Sequence, residues 1–128
     1  MIKAKIYSND ENITGFTIDS HAMPEGRDFN SNELQVGEAF DMVCNSVSVL
    51  SQSVIIGLDN VLGLNCTYEI GDGYLSLDLR DFSKEELKEA QVLLKTFELS
   101  LDSVILGLDQ TLGTNKRREY INIKKEEV

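Results

Sequence analysis

The longest patterned stretch in this chain begins at Ser83-Lys84-Glu85-Glu86 and runs to Leu112. Serine followed three residues later by glutamate is a helix-opening capping box, and Gly113 is a helix stop. Leu87, Ala90, Leu94, Phe97, Leu101, Val104, Leu108 and Leu112 form one apolar stripe along it. Val92, Leu99 and Leu106 form a second, at seven-residue spacing. One stripe can lie on a sheet, but two need a second cover, either another helix or another subunit. The spacing therefore predicts a long helix in a layered fold, with association into a homodimer through Val92, Leu99 and Leu106.

The other elements supply the layer beneath it. Ile2, Ala4 and Ile6 alternate with Lys3, Lys5 and Tyr7, which predicts a half-buried strand. Asn9-Asp10-Glu11-Asn12 is a turn, and residues 13–18 read as a second, antiparallel strand. Phe40, Val43, Val47, Leu50, Val54, Leu58 and Leu62 recur at three- and four-residue steps, the mark of a first long helix. Its start has two readings. Ser31 or Asn32 could cap a helix near Glu33, or the helix could begin just after Gly37. Residues 66–70 and 74–79 flank Gly71-Asp72-Gly73 and read as a hairpin, with Cys66 a small buried residue of its first strand. Residues 119–123 read as a last strand, followed by a Lys/Glu tail expected to fray.

Segments 53–65 and 103–115 share nine of thirteen residues. Both read as helix ends, and in each the second glycine, Gly63 or Gly113, suits the stop. Gly57 and Gly107 fall inside the helices, where glycine costs about 1 kcal/mol. That placement predicts that the two helices approach closely there. A single duplication does not make a solenoid. The expected fold is α/β in composition and α+β in arrangement. An antiparallel-rich sheet of about five strands carries two long helices on one face, in one domain spanning residues 1–128.

Composition narrows function by exclusion. The net charge of −10 disfavours direct nucleic-acid binding, and the one basic cluster, Lys116-Arg117-Arg118, is short. An acidic surface would instead attract a basic partner. No run of about 18 apolar residues suggests a membrane span, and the first residues lack the apolar core of a signal peptide. A cytoplasmic location is the expectation. Cys44 and Cys66 are 22 positions apart, which fits no close-spaced metal or redox motif. The expectation is free thiols, with no metal and no cofactor.

Two residues carry the chemistry. His21, the only histidine, ends a strand in Asp19-Ser20-His21-Ala22. Cys44 lies in the first helix, in Asp41-Met42-Val43-Cys44-Asn45-Ser46-Val47-Ser48. An imidazole can take the proton of a thiol, and a helix N-terminus favours the thiolate. Asp41 precedes Cys44 by three residues on the same face, and Ser48 follows it by four. Asp41 reads as an orienting or substrate-site acid or as a complement to the helix N-terminus. Ser48 reads as a site hydroxyl or a packed one.

The order strand–His-Ala–loop–Asp-x-Val-Cys-x-x-Val-Ser–helix resembles the ribosomal-processing cysteine protease family, Prp. Leu93-Leu94-Lys95-Thr96 and Ile105-Leu106-Gly107-Leu108 resemble its second helix, so the likeness covers nearly the whole chain. It implies a cysteine endopeptidase with a His21–Cys44 dyad. The implied substrate is the precursor of large-subunit ribosomal protein twenty-seven, trimmed of an N-terminal extension that ends in aromatic residues before a small one. The resemblance favours the later helix start, leaving Cys44 within about two turns of the N-terminus. Ser20 stands where the family has glycine, and Asn45-Ser46 where it has two alanines. The 22 residues between His21 and Cys44 exceed the usual length, so residues 22–36 are expected to be an irregular, mobile lid. Met23, Phe29 and Phe40 are candidates to line an apolar substrate groove, and backbone N–H groups around Cys44 to form the oxyanion site. Two rivals remain. One is a catalytically inactive dimeric peptide- or protein-binding module of the same fold, and the other is a thiol redox sensor at Cys44.

Overall fold

A computed structural model describes residues 1–20 and 33–128, with the backbone alone for 33–39. Five strands form one sheet: β1 (Ile2–Asn9), β2 (Asn12–Asp19), β3 (Thr67–Gly71), β4 (Tyr74–Asp78) and β5 (Ile121–Glu127). Their order is β3-β4-β2-β1-β5. All pairs are antiparallel except β1 with β5, which is parallel. A long helix α1 (Glu33–Ile56) connects the two hairpins, and a second, α2 (Lys84–Leu112), leads through a short α3 (Thr114–Arg117) into β5. The chain is the expected α+β sheet with two helices on one face.

Alternation places Ile2, Ala4 and Ile6 of β1, Phe16 and Ile18 of β2, Leu75 and Leu77 of β4 and Ile121 of β5 on the helix side. There they join Val43, Val47 and Val54 of α1 and Ala90, Leu94, Phe97 and Leu101 of α2 in one core. The rings of Phe16 and Phe97 stand 4.4 Å apart, tilted by 35°, and join α2 to the sheet.

A bulge sets how α2 sits. The β1–β2 register shifts between Tyr7, which faces Gly15, and Ser8, which faces Ile13. The freed backbone of Ile13 is taken by the buried amide of Gln91. Ile13 N–H donates to Gln91 Oε1 at 2.7 Å, and Gln91 Nε2 donates to Ile13 O at 2.8 Å and to Leu87 O at 3.1 Å. The capping box of α2 forms as the sequence predicts. Ser83 N–H donates to Glu86 Oε1 at 3.0 Å, and Glu86 N–H donates to Ser83 Oγ at 3.2 Å.

Four expectations need correction. First, α1 begins at Glu33, the earlier of the two starts. Residues 33–36 are therefore helical rather than loop, and the rest of the supposed lid, 22–32, lies outside the described residues. Second, the C-terminal tail does not fray. Lys124 to Glu127 pair with β1, and Val128 N–H donates to Ser8 O at 2.8 Å. A run of charged residues suits the edge strand of a sheet. Third, only one of the two internal glycines marks a close approach. A Cβ at Gly57 would lie 2.7 Å from Leu93 Cδ1 of α2, whereas Gly107 faces open space. Fourth, Phe40–Val61 is, by length and composition, apolar enough to cross a membrane. Val43, Val47, Val54, Ile55 and Leu58 within it are buried in the core, whereas Met42, Val49, Ile56 and Val61 are exposed.

Replacing Gln91 by leucine fills similar volume but leaves both backbone groups of Ile13 without their partners. Urea unfolding is expected to show a loss of about 2–4 kcal/mol.

Candidate active site

Cys44 occupies the twelfth position of α1, three turns inside the helix. The helix N-terminus therefore contributes little to its thiolate, since that field fades within the first turn. At this depth the N–H groups of Cys44 and its neighbours are consumed by intrahelical hydrogen bonds. The early start of α1 leaves these N–H groups, the usual source of an oxyanion site, engaged within the helix.

The thiol is half-buried in a cleft of about 90 Å³. Among the described residues, α1 contributes Cys44, Val47, Ser48, Ser51 and Gln52 to its lining, and β2 contributes Ile18. Ser20 and the hairpin residues Ile70, Gly71, Gly73, Tyr74 and Leu75 close the other side. Cys44, Ser48 and Gln52 are four residues apart and form one stripe along the helix. Gln52 Nε2 donates to Ser48 Oγ at 2.9 Å, which fixes the hydroxyl.

The strand end that precedes His21 is clamped to this cleft. Ser20 N–H and Ser20 Oγ both donate to Gly73 O, at 2.8 and 3.0 Å. A glycine at position 20 could make only the first of these bonds. His21 itself lies outside the described residues, as do Met23 and Phe29. Phe40 packs against the core and is absent from the cleft lining.

Asp41 is exposed and does not line the cleft. Burial and then the Asp41 carboxylate raise the pKa of the Cys44 thiol, with the N-terminal ammonium opposing them. Asn45 and Ser46 are exposed, and Ser46 Oγ donates to Met42 O at 3.0 Å. Neither of these two departures from the resembled pattern is among the described residues that line the cleft. Cys66 is buried just before β3. Burial and the neighbouring Asp59 carboxylate push its thiol up to about 12. Among the described residues, no group of three or more His, Cys, Asp and Glu side chains could hold a metal ion.

Of the residues that line the cleft, sequence reasoning names Cys44 and Ser48 but not Gln52, Ile70 or Tyr74. The next helical step after Ser48 points to Gln52. The apolar residues flanking Gly71-Asp72-Gly73 point to the hairpin only once its position beside α1 is known.

The sequence matches the family model described as cysteine protease Prp over residues 1–112. No curated protein matches it. Among solved structures, SMU.848 from Streptococcus mutans is 21% identical with a TM-score of 0.69, covering 100% of this chain and 99% of that one. The essential ribosomal processing protease Prp from S. aureus, in complex with a covalently linked product peptide, is 21% identical with a TM-score of 0.59. That alignment covers 98% of this chain and 100% of the other. A hypothetical protein from Staphylococcus aureus is 16% identical with a TM-score of 0.60, over 98% of this chain and 100% of that one.

Removing the charge that opposes the thiolate should be visible directly. Asp41→Asn is expected to speed alkylation of Cys44 at neutral pH by roughly two- to fivefold. Cys66 should remain unmodified over the same interval, and intact mass should show one adduct.

Proposed function

The chain belongs to the cysteine protease Prp family, and on that premise we propose that it processes a ribosomal protein precursor with Cys44 as nucleophile and His21 as general base. The observation that carries this reading is the cleft itself. The cysteine and the clamped strand end that leads into the only histidine line one pocket. The surroundings of Cys44 oppose ionisation, so the reaction needs a base delivered to the thiol.

In this mechanism the Cys44 thiol gives its proton to the His21 imidazole as Sγ attacks the peptide carbonyl. Collapse of the tetrahedral intermediate breaks the C–N bond, and the imidazolium protonates the departing amine. Water, deprotonated by the same imidazole, then attacks the thioester and releases the acid and the free thiol. Ser48, held by Gln52 on the cleft wall, contacts the substrate near the reacting bond. Asp41, outside the cleft, acts on the thiol through its charge alone, which the base has to overcome. The substrate is the N-terminal extension of large-subunit ribosomal protein twenty-seven, cut between aromatic residues and a small one. Tyr74, Ile18 and Leu75 supply apolar surface to receive it. The acidic chain, with a net charge of −10, suits a basic ribosomal protein met in the cytoplasm.

We also propose a homodimer. Val92, Leu99 and Leu106 are exposed along α2, as their spacing predicts. A shorter stripe with the same seven-residue step, Met42 and Val49, is exposed along α1. Two such stripes give a second copy an extended apolar face to cover.

Incubation with the precursor, followed by intact mass, tests the assignment. Cys44→Ala is expected to abolish cleavage, and His21→Ala to lower kcat/KM by about 10²–10⁴-fold. Full activity in Cys44→Ala would overturn it, and an inert wild type would favour the binding-module alternative. Sedimentation at micromolar concentration should show a dimer. Leu99→Glu with Leu106→Glu should shift it to monomer.

A further inference from the structure

The cleft around Cys44 does not end at the hairpin. Gln52 and Ile70 also line a second cavity of about 240 Å³, completed by Ile55, Ile56, Asp59, Asn60 and Tyr68. Its geometry follows from the position of β3. This strand is the edge of the sheet, and all its residues are exposed. Tyr68 and Ile70 pair with Leu77 and Leu75, which point to the helix side of the sheet. Tyr68 and Ile70 therefore share that side, yet both stay exposed. The result is an open groove with a helix for one wall and a strand for the other, continuous with the Cys44 cleft.

The chemistry of the second cavity is specific. Ile55, Ile56 and Ile70 make apolar walls, and Tyr68 offers an aromatic ring. Asp59 stands among them with its carboxylate held in place, since Cys66 N–H donates to Asp59 Oδ1 at 2.7 Å. Its one charged member is acidic, and no Lys or Arg is among the described residues that line it. A long aliphatic stem ending in a cation matches such a site, with the stem on apolar walls and the head between a carboxylate and an aromatic face.

We propose that this cavity is a substrate subsite that binds a lysine or arginine side chain of the peptide being cut. Eleven residues of α1 separate Cys44 from Ile55, or about 16 Å at the helical rise. An extended peptide covers that distance in about five residues. The basic residue therefore lies four or five places from the scissile bond. The subsite rests on the protease reading for its continuity with the nucleophile, but its binding can be measured without catalysis.

The probes are fluorescein-labelled twelve-residue peptides centred on two phenylalanines and then alanine. Each carries lysine or methionine at the fourth or fifth place on one side of the central bond, with alanine or serine elsewhere. Anisotropy with the full-length Cys44→Ala protein measures affinity, and cleavage by the wild type measures kcat/KM. Lysine is expected to bind about tenfold more tightly than methionine at one of these places and to act mainly through KM. Asp59→Asn should bring the lysine-to-methionine ratio close to one. Because Asp59 also holds the chain at Cys66, Ile56→Lys provides a second variant. It places a like charge at an exposed position of the groove wall and should lower the ratio as well. Equal affinity of lysine and methionine peptides at all places overturns the subsite, as does binding of neither or a preference that survives both substitutions. If the lysine preference holds in Cys44→Ala while the wild type cuts nothing, the subsite stands and the protease assignment falls.

Discussion

The buried amide of Gln91 is the contact on which the placement of Cys44 depends. It takes both backbone groups of Ile13 at the β-bulge and so fixes α2 over β2. From α2, Leu93 reaches into the space left by the missing side chain of Gly57. That contact holds the end of α1 against its neighbour. α1 in turn carries Cys44 to the strand end and hairpin that face it. Each step is a close fit between an obligatory backbone or apolar group and a single side chain, so an error early in the series reaches the cleft.

A cysteine three turns inside a helix cannot use the usual advantages of a helix start. Its local N–H groups are occupied, the terminal field is weak, and Asp41 opposes the thiolate. Chemistry at this position must draw on groups outside the helix. The second hydrogen bond from Ser20 to Gly73 becomes important in that light. It stiffens the strand end immediately before His21, on the wall of the cleft that faces the thiol. The serine found in place of glycine adds order at the strand end that leads into His21.

Much of the architecture was legible because it rests on periodic patterns. The strand alternation from Ile2 to Ile6, the capping box at Ser83 and the turn at Gly71-Asp72-Gly73 each specify their element locally. The start of α1 was not legible in the same way, since both Glu33 and the position after Gly37 satisfy local rules. The tail failed for the opposite reason. Residues 124–127 look like a solvated Lys/Glu run, and only the free parallel edge of β1 turns them into a strand. At the site, Cys44 and Ser48 announce themselves by chemistry. Ile70 and Tyr74 are ordinary strand residues that gain meaning from lying across from α1.

The repeated segment shows how far a local pattern can go. In both copies the second glycine takes positive φ, +68° at Gly63 and +83° at Gly113, so the stop is written in the sequence. In both, the aspartate four residues before that glycine holds the chain that follows. Asp59 accepts from Cys66 N–H, and Asp109 binds Arg117 Nε at 2.7 Å. Between these shared points the copies diverge. The first passes into a π-helical turn over Gly57–Val61, while the second stays α-helical to Leu112. Leu93 presses on Gly57, and nothing presses on Gly107. A wider turn at the first copy is the local answer to that pressure. It also sets Asp59 at the head of the groove beside β3. One sequence thus closes two helices alike, while a single packing contact decides which of them helps to build a binding surface.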